Sequence, residues 1–255
     1  MALLRLSFAV LVCAVASAWA HYQFSELTIE GSATGPWLYV RKTDQYDRAL
    51  RSGIGDPTKD INSLDLRCNN TQINMPSDTA TVEAGQTIGF FSNMPAYHHG
   101  VHNVYMARAP GNVSEWDGSG EVWFKVHEVA PIVTPGSPIK FPAQNSHTIE
   151  FQLPKSLPSG DYLVRAENIA LHLALTDGPE FYLSCGQIRV VNGGDGVPGP
   201  LVSIPGLYTG EASILEPAFR IDVYSSDPEP FTMPGPVSTC VISECMVANV
   251  FTSRM

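Results

Sequence analysis

The segment FYLSCGQIRVV at residues 181–191 sets the reading of the whole chain. Its apolar and β-favouring residues read as a strand. Comparable apolar or alternating runs recur at 24–29, 37–40, 81–83, 87–91, 103–107, 122–126, 148–153, 162–167 and 218–224. Gly, Pro, Ser, Asn and Asp clusters separate them, and 21 Gly and 20 Pro interrupt any long helical pattern. Many short strands divided by turn signals specify an all-β sandwich or barrel. The polar stretch 41–67 reads as a long loop with one short helix, and loops of that length in a compact domain tend to carry function. Near residue 226 the strand pattern ends. Pro228, Pro230, Pro234 and Pro236 then mark 227–255 as a tail beyond a domain spanning 21–226.

Residues 1–20, MALLRLSFAVLVCAVASAWA, carry an early arginine, an apolar run and the small residues Ala18 and Ala20 around Trp19. This is the pattern of a secretory signal cut after Ala20, so the protein is expected to be secreted and extracellular. His21 then opens the mature chain. An N-terminal histidine offers its α-amine and ring Nδ1 from one residue, a chelate suited to tetragonal Cu(II) better than to tetrahedral zinc. A second histidine is needed to complete such a site. No other stretch has the roughly 20 apolar residues of a membrane span. The net charge of −10 with only 15 basic residues disfavours nucleic acid and anionic membrane as partners and suits a neutral substrate such as an uncharged polysaccharide. Cys13 leaves with the signal. Cys68, Cys185, Cys240 and Cys245 remain, an even set that permits three pairings in an oxidising compartment. Cys68–Cys185 is the preferred long bridge, and Cys240 and Cys245 are close enough to pair locally. Asn69 and Asn112 head glycosylation sequons.

Seven histidines are present. His98-His99-Gly100 follows a turn and enters a strand; His172 follows another strand. Tyr182 precedes Cys185 by three residues and would be held on a rigid strand if that cysteine is bridged. Several segments now stand in one order: His21; Asp65-Leu66-Arg67-Cys68-Asn69; His98-His99-Gly100; Val104-Tyr105-Met106; Trp116-Asp117-Gly118; Trp123-Phe124-Lys125; Gly160-Asp161-Tyr162-Leu163-Val164-Arg165-Ala166-Glu167; Ile169-Ala170-Leu171-His172; and Phe181-Tyr182-Leu183-Ser184-Cys185-Gly186-Gln187-Ile188. In these segments the chain resembles the fungal lytic polysaccharide monooxygenases of auxiliary activity family nine, formerly classed as a glycoside hydrolase family.

The resemblance implies an immunoglobulin- or fibronectin-like antiparallel β-sandwich with long loops and a flat substrate face. It implies one copper per chain in a histidine brace, with His21 giving amine and ring nitrogen, His98 a ring nitrogen and Tyr182 the axial position. His172 matches the outer histidine facing the oxygen species. Glu180 stands where the family has a glutamine, and Val101 where it has a proline. The implied activity is oxidative cleavage of β-1,4-glucan, cellulose-like chains, by a monomer using an external electron donor and O2 or H2O2. Tyr208 and Tyr46 are candidate sugar-stacking residues, and His99 is read as structural. The alternative is a non-catalytic secreted protein, copper- or cell-wall-binding, that keeps the brace. A hydrolase is disfavoured, because no carboxylate pair flanks a cleft in the sequence pattern.

Overall fold

The computed structural model describes residues 21–46, 55–70, 77–92, 94–209 and 219–237. Residues 1–20, read above as a secretory signal, and Cys240, Cys245 and the end of the tail lie outside the described residues. The elements in chain order are β1 (Phe24–Ile29), β2 (Ser32–Ala33), the one-turn helix α1 (Asp65–Cys68), β3 (Ala80–Glu83), β4 (Thr87–Ser92), β5 (Gly100–Arg108), β6 (Glu121–Val129), β7 (Thr148–Gln152), β8 (Gly160–Ala170), β9 (Glu180–Val191) and β10 (Val202–Ser203). They form a four-stranded sheet, β2-β1-β4-β7, and a six-stranded sheet, β10-β6-β5-β8-β9-β3. The pairing is antiparallel except that β3 runs parallel to β9. That exception departs from the all-antiparallel expectation. It is possible because β3 and β9 are joined by no hairpin, so nothing local dictates their relative direction.

Period-two patterning aims one set of side chains between the sheets. Ile88, Phe90, Ile149 and Phe151 of the smaller sheet meet Val104, Met106, Val126, Val164, Ile188 and Val190 of the larger. Burying each such side chain contributes about 1.5–3 kcal/mol before entropy is charged against it. A Cβ at Gly186 would stand 2.8 Å from Leu27 Cδ2, so the glycine lets the two sheets close.

The outer face of the six-stranded sheet is buried as well. Val101, Tyr105, Ala107, Trp123, Leu163, Leu183 and Cys185 pack under loops that supply Leu66, Cys68, Phe141, Ile204, Tyr208 and Phe219. Covered on both faces, β5 and β8 are buried along most of their length rather than at alternate residues. The Cys68–Cys185 disulfide fastens α1 to β9 across this layer, closing a sequence separation of 117.

Two readings are corrected here. The 37–40 run is not a strand: Trp37 has φ +61°, and Val40 makes a single bridge to Gly186. The described part of the 218–224 run, from Phe219 onward, forms no strand, and its buried Phe219 and Val223 cover the outer layer. The described part of the tail packs on this outer layer. Phe231 and Met233 rest against it, and the Pro234 carbonyl accepts a hydrogen bond from buried Lys125 Nζ at 2.8 Å.

Two outcomes are expected from this packing. Replacing Cys68 and Cys185 by alanine together should cost about 4–5 kcal/mol in the chain-entropy account, read as a lower urea midpoint. His102, near the start of β5, is pushed down to about 3, by burial first and the charge of His127 on neighbouring β6 second. The unfolded chain takes up this proton below about pH 6.5 while the folded chain does not. Stability should therefore be unaffected by His102 above that pH and fall as pH drops from there toward 3. His102→Leu should show a shallower loss in denaturant titrations over that window; an equal slope would contradict the assignment.

Candidate metal centre

Strand register gathers the site. β5 aligns Gly100 with Ala170 of β8, and Ala170 aligns with Glu180 of β9. The start of β5, the end of β8 and the start of β9 therefore share one edge of the sandwich. His98 lies two residues before the first, His172 two residues beyond the second, and Glu180 opens the third. β1 begins at the same end, because Phe24 pairs with Ser92, the last residue of β4, whose connection leads into β5. His21 follows from that.

The rings of His98 and His172 stack with centroids 3.7 Å apart and planes 2° apart. Tyr182 lies beneath, its centroid 6.2 Å from His98 and 6.0 Å from His21. Tyr22 stacks on the other side of Tyr182 at 4.3 Å and donates a hydrogen bond to Asn168 Oδ1. The Tyr182 hydroxyl donates to Glu180 Oε2 at 2.9 Å. Burial, and then the charge of Glu180, raise the Tyr182 phenol well above its ordinary value. It stays protonated and remains a donor. Burial holds the His172 imidazole below its usual value, against the upward pull of Glu180, whose Oε2 lies 3.9 Å from Nε2. His172 is thus a neutral ring near pH 7, and its Nδ1 has no hydrogen-bond partner among the described residues.

The two adjacent histidines diverge. His98 turns toward Tyr182 and His172. His99 packs edge-on against Phe141 and Tyr224, and its carbonyl accepts from Leu171 N at 2.7 Å. Ligand atoms of His98, His172 and Glu180 lie within 4.8 Å of one another. His21 is outside that grouping, with Nδ1 3.9 Å from Asp56 Oδ1. Nitrogen donors around one protonated tyrosine fit a bound metal ion. The sequence reading missed Asp56 and Lys59, both from the 55–60 segment. Lys59 Nζ lies 3.2 Å from Glu180 Oε1 and also binds Asp177.

The family model for Auxiliary Activity family 9, formerly GH61, matches residues 21–230. The chain belongs to this family. It is 44% identical over 224 residues to the AA9 family lytic polysaccharide monooxygenase C of Emericella nidulans, covering 86% of this chain and 92% of that one. It is 41% identical over 230 residues to lytic polysaccharide monooxygenase H of Malbranchea cinnamomea, covering 89% and 95%. A solved structure of a cellulose-active polysaccharide monooxygenase from M. thermophila superposes with a TM-score of 0.69 at 25% identity, over 86% of this chain and 98% of that one. The AA9 chain is accordingly a metal-dependent enzyme that cleaves polysaccharide oxidatively with a reductant.

Other site expectations meet the AA9 structure differently. Tyr208 is a correction: at 1% exposure it cannot stack on a sugar. Its hydroxyl donates to buried Glu167, and its ring packs on Phe181 and Phe219. Asn69 is also a correction as a glycan carrier, since it is 5% exposed and caps α1 in the left-handed region. Asn112 is exposed. Tyr46 is half-buried against Trp37, with Lys42 Nζ 4.6 Å over its ring, so that face is already occupied. The exposed rings beside the site are Tyr97, 57% exposed and 5.8 Å from His98, and Tyr224, 68% exposed and against His99. Neither carries a sequence signal, because exposure of one aromatic depends on how loops pack. Tyr208→Phe should lower stability by about 1–3 kcal/mol, the cost of stripping a buried carboxylate of a donor. Its binding to insoluble glucan in pull-down assays should match wild type; weaker binding at unchanged stability would restore Tyr208 to the substrate surface.

Proposed function

We propose that this AA9 chain is a secreted copper monooxygenase that oxidatively cleaves β-1,4-glucan, with cellulose the primary candidate and O2 or H2O2 as co-substrate. The observation that carries the reading is the convergence of His21, His98 and His172 around the protonated Tyr182 at one sandwich edge. His21 and His98 would hold the metal, with the Tyr182 ring beside them. Removal of residues 1–20 would convert the His21 amide into an amine of ordinary pKa about 7.7–8.0, which must lose its proton to bind. Imidazole and amine nitrogens in this number favour copper over the hard cations that take oxygen ligands. Bound copper would supply one-electron redox chemistry toward the oxygen co-substrate and hydrogen abstraction from a glucosyl carbon.

The protein's own residues do the rest. The Tyr182 phenol, kept neutral, fills one face of the site and holds Glu180 Oε2. His172, kept neutral by burial, presents a ring nitrogen for hydrogen bonding beside His98. Tyr97 and Tyr224 offer apolar faces on which pyranose rings can lie.

The test compares protein beginning at His21 with protein carrying one additional residue before it. The authentic form should bind one Cu(II) by calorimetry and release oxidised oligosaccharides from cellulose only with copper and a reductant, read by mass spectrometry. The extended form should lose most of its copper affinity. Equal affinity in the two forms would overturn the amine's role, and products lacking oxidation would overturn the activity.

A further inference from the structure

The 55–60 segment reaches the site through two backbone hydrogen bonds. Thr58 N donates to Phe181 O and Phe181 N to Thr58 O, both at 2.9 Å. This bridge sets Lys59 next to the first residues of β9, on a backbone fixed by the sheet rather than on a free loop. From there Nζ reaches two carboxylates: Glu180 Oε1 at 3.2 Å and Asp177 Oδ2. Asp177 sits in the turn after His172, where its own N–H and that of Gly178 bind Leu173 O at 2.9 and 3.1 Å. One ammonium therefore ties the 55–60 segment, the 173–178 turn and the start of β9 together.

We propose that Lys59 is a positioning residue for the metal centre: it fixes the Glu180 carboxylate so that Oε2 stays under the Tyr182 hydroxyl and toward His172. The inference rests on the copper reading given above and deepens it. Glu180 is 7% exposed. A carboxylate this buried is costly unless its oxygens are matched by donors. Tyr182 serves one oxygen and Lys59 the other, so the two partners together define the carboxylate plane. Without the ammonium, Oε1 has reason to swing outward to water, and Oε2 leaves Tyr182 with it. An exposed ion pair contributes little, and the Lys59–Asp177 arm is of that kind. The Lys59–Glu180 arm differs because its acidic partner is buried. Asp177, 64% exposed against 7% for Glu180, holds the lysine from the solvent side. The position also accounts for a glutamate being tolerated where the family resemblance leads one to expect a neutral glutamine: the extra negative charge beside the metal ligands comes with its own counter-ion.

The experiment uses mature protein as wild type, Lys59→Met, Lys59→Arg, Glu180→Gln and the Lys59→Met/Glu180→Gln double variant. Metal-free crystal structures of wild type and Lys59→Met decide the geometry independently of activity. Glu180 should leave the Tyr182 hydroxyl in Lys59→Met and stay on it in wild type. With copper bound, the Cu(II) resonance spectrum of Lys59→Met should shift and oxidative turnover should fall about tenfold, the low end for loss of a group behind metal ligands. Lys59→Arg should restore both. In the Glu180→Gln background, Lys59→Met should change neither. A Lys59→Met structure with Glu180 still on Tyr182 overturns the proposal, as does a wild-type spectrum together with wild-type turnover. If wild type itself yields no oxidised product, the function reading falls, while the metal-free structures still decide the role of Lys59.

Discussion

The ladder through β5, β8 and β9 is the constraint on which the site depends. It aligns Gly100 with Ala170 and Ala170 with Glu180, and from there runs continuously to Arg108, Gly160 and Val190. Side chains in a strand alternate faces, so a slip of one residue would turn Tyr182 from the inner core to the outer layer and exchange it with Leu183. It would also move the edge that carries His98, His172 and Glu180 out of line. The chemistry is thus placed by backbone hydrogen bonds several residues away from any reacting group, and the ends of three strands do the work that a single motif does in other enzymes.

Burial on both faces of the same sheet has a second consequence. Strands covered on both sides must accommodate their polar residues inside, and β8 carries Arg165, Glu167 and Asn168 fully buried. Each is matched. Arg165 pairs with Glu167 at 2.6 Å and donates to the carbonyls of Leu66 and Arg67 at the disulfide-anchored helix. Glu167 also receives Tyr208 and Asn103, and Asn168 receives Tyr22. Buried ion pairs of this kind add little net stability but strongly penalise arrangements that leave one partner alone. The network therefore ties α1, the loop bearing Tyr208 and the tyrosine under the site to one strand.

The site's electrostatics follow from the same packing. Burial keeps the Tyr182 phenol and the His172 imidazole neutral, which makes one a donor and the other a ring able to present an unprotonated nitrogen. Formal charge beside the histidine cluster comes from Glu180, offset by Lys59 from a segment remote in sequence, and from Asp56 next to His21. Two exposed tyrosines border the site, Tyr97 beside His98 and Tyr224 beside His99.

Most strands were legible because period and turn chemistry are local properties: β1 was read at its observed limits, and the runs at 81–83, 87–91 and 148–153 differ from β3, β4 and β7 by one residue. His98, His172 and Tyr182 were singled out through family order and His21 through the cleavage pattern ahead of it, and the structure brings these four rings to one sandwich edge. What failed were features fixed by loops. The 37–40 and 218–224 runs are apolar because they cover a core, not because they pair in a sheet. Tyr208 and Asn69 carry surface-type signals, yet the outer layer closes over them. Lys59 carries no signal at all, being 118 residues from Asp177 in the chain. The sequence by itself determined the strands, the residue types at the site and the family. Only the tertiary structure decided which loop covers which face and which cation meets Glu180, because those depend on long-range packing that no short window of sequence encodes.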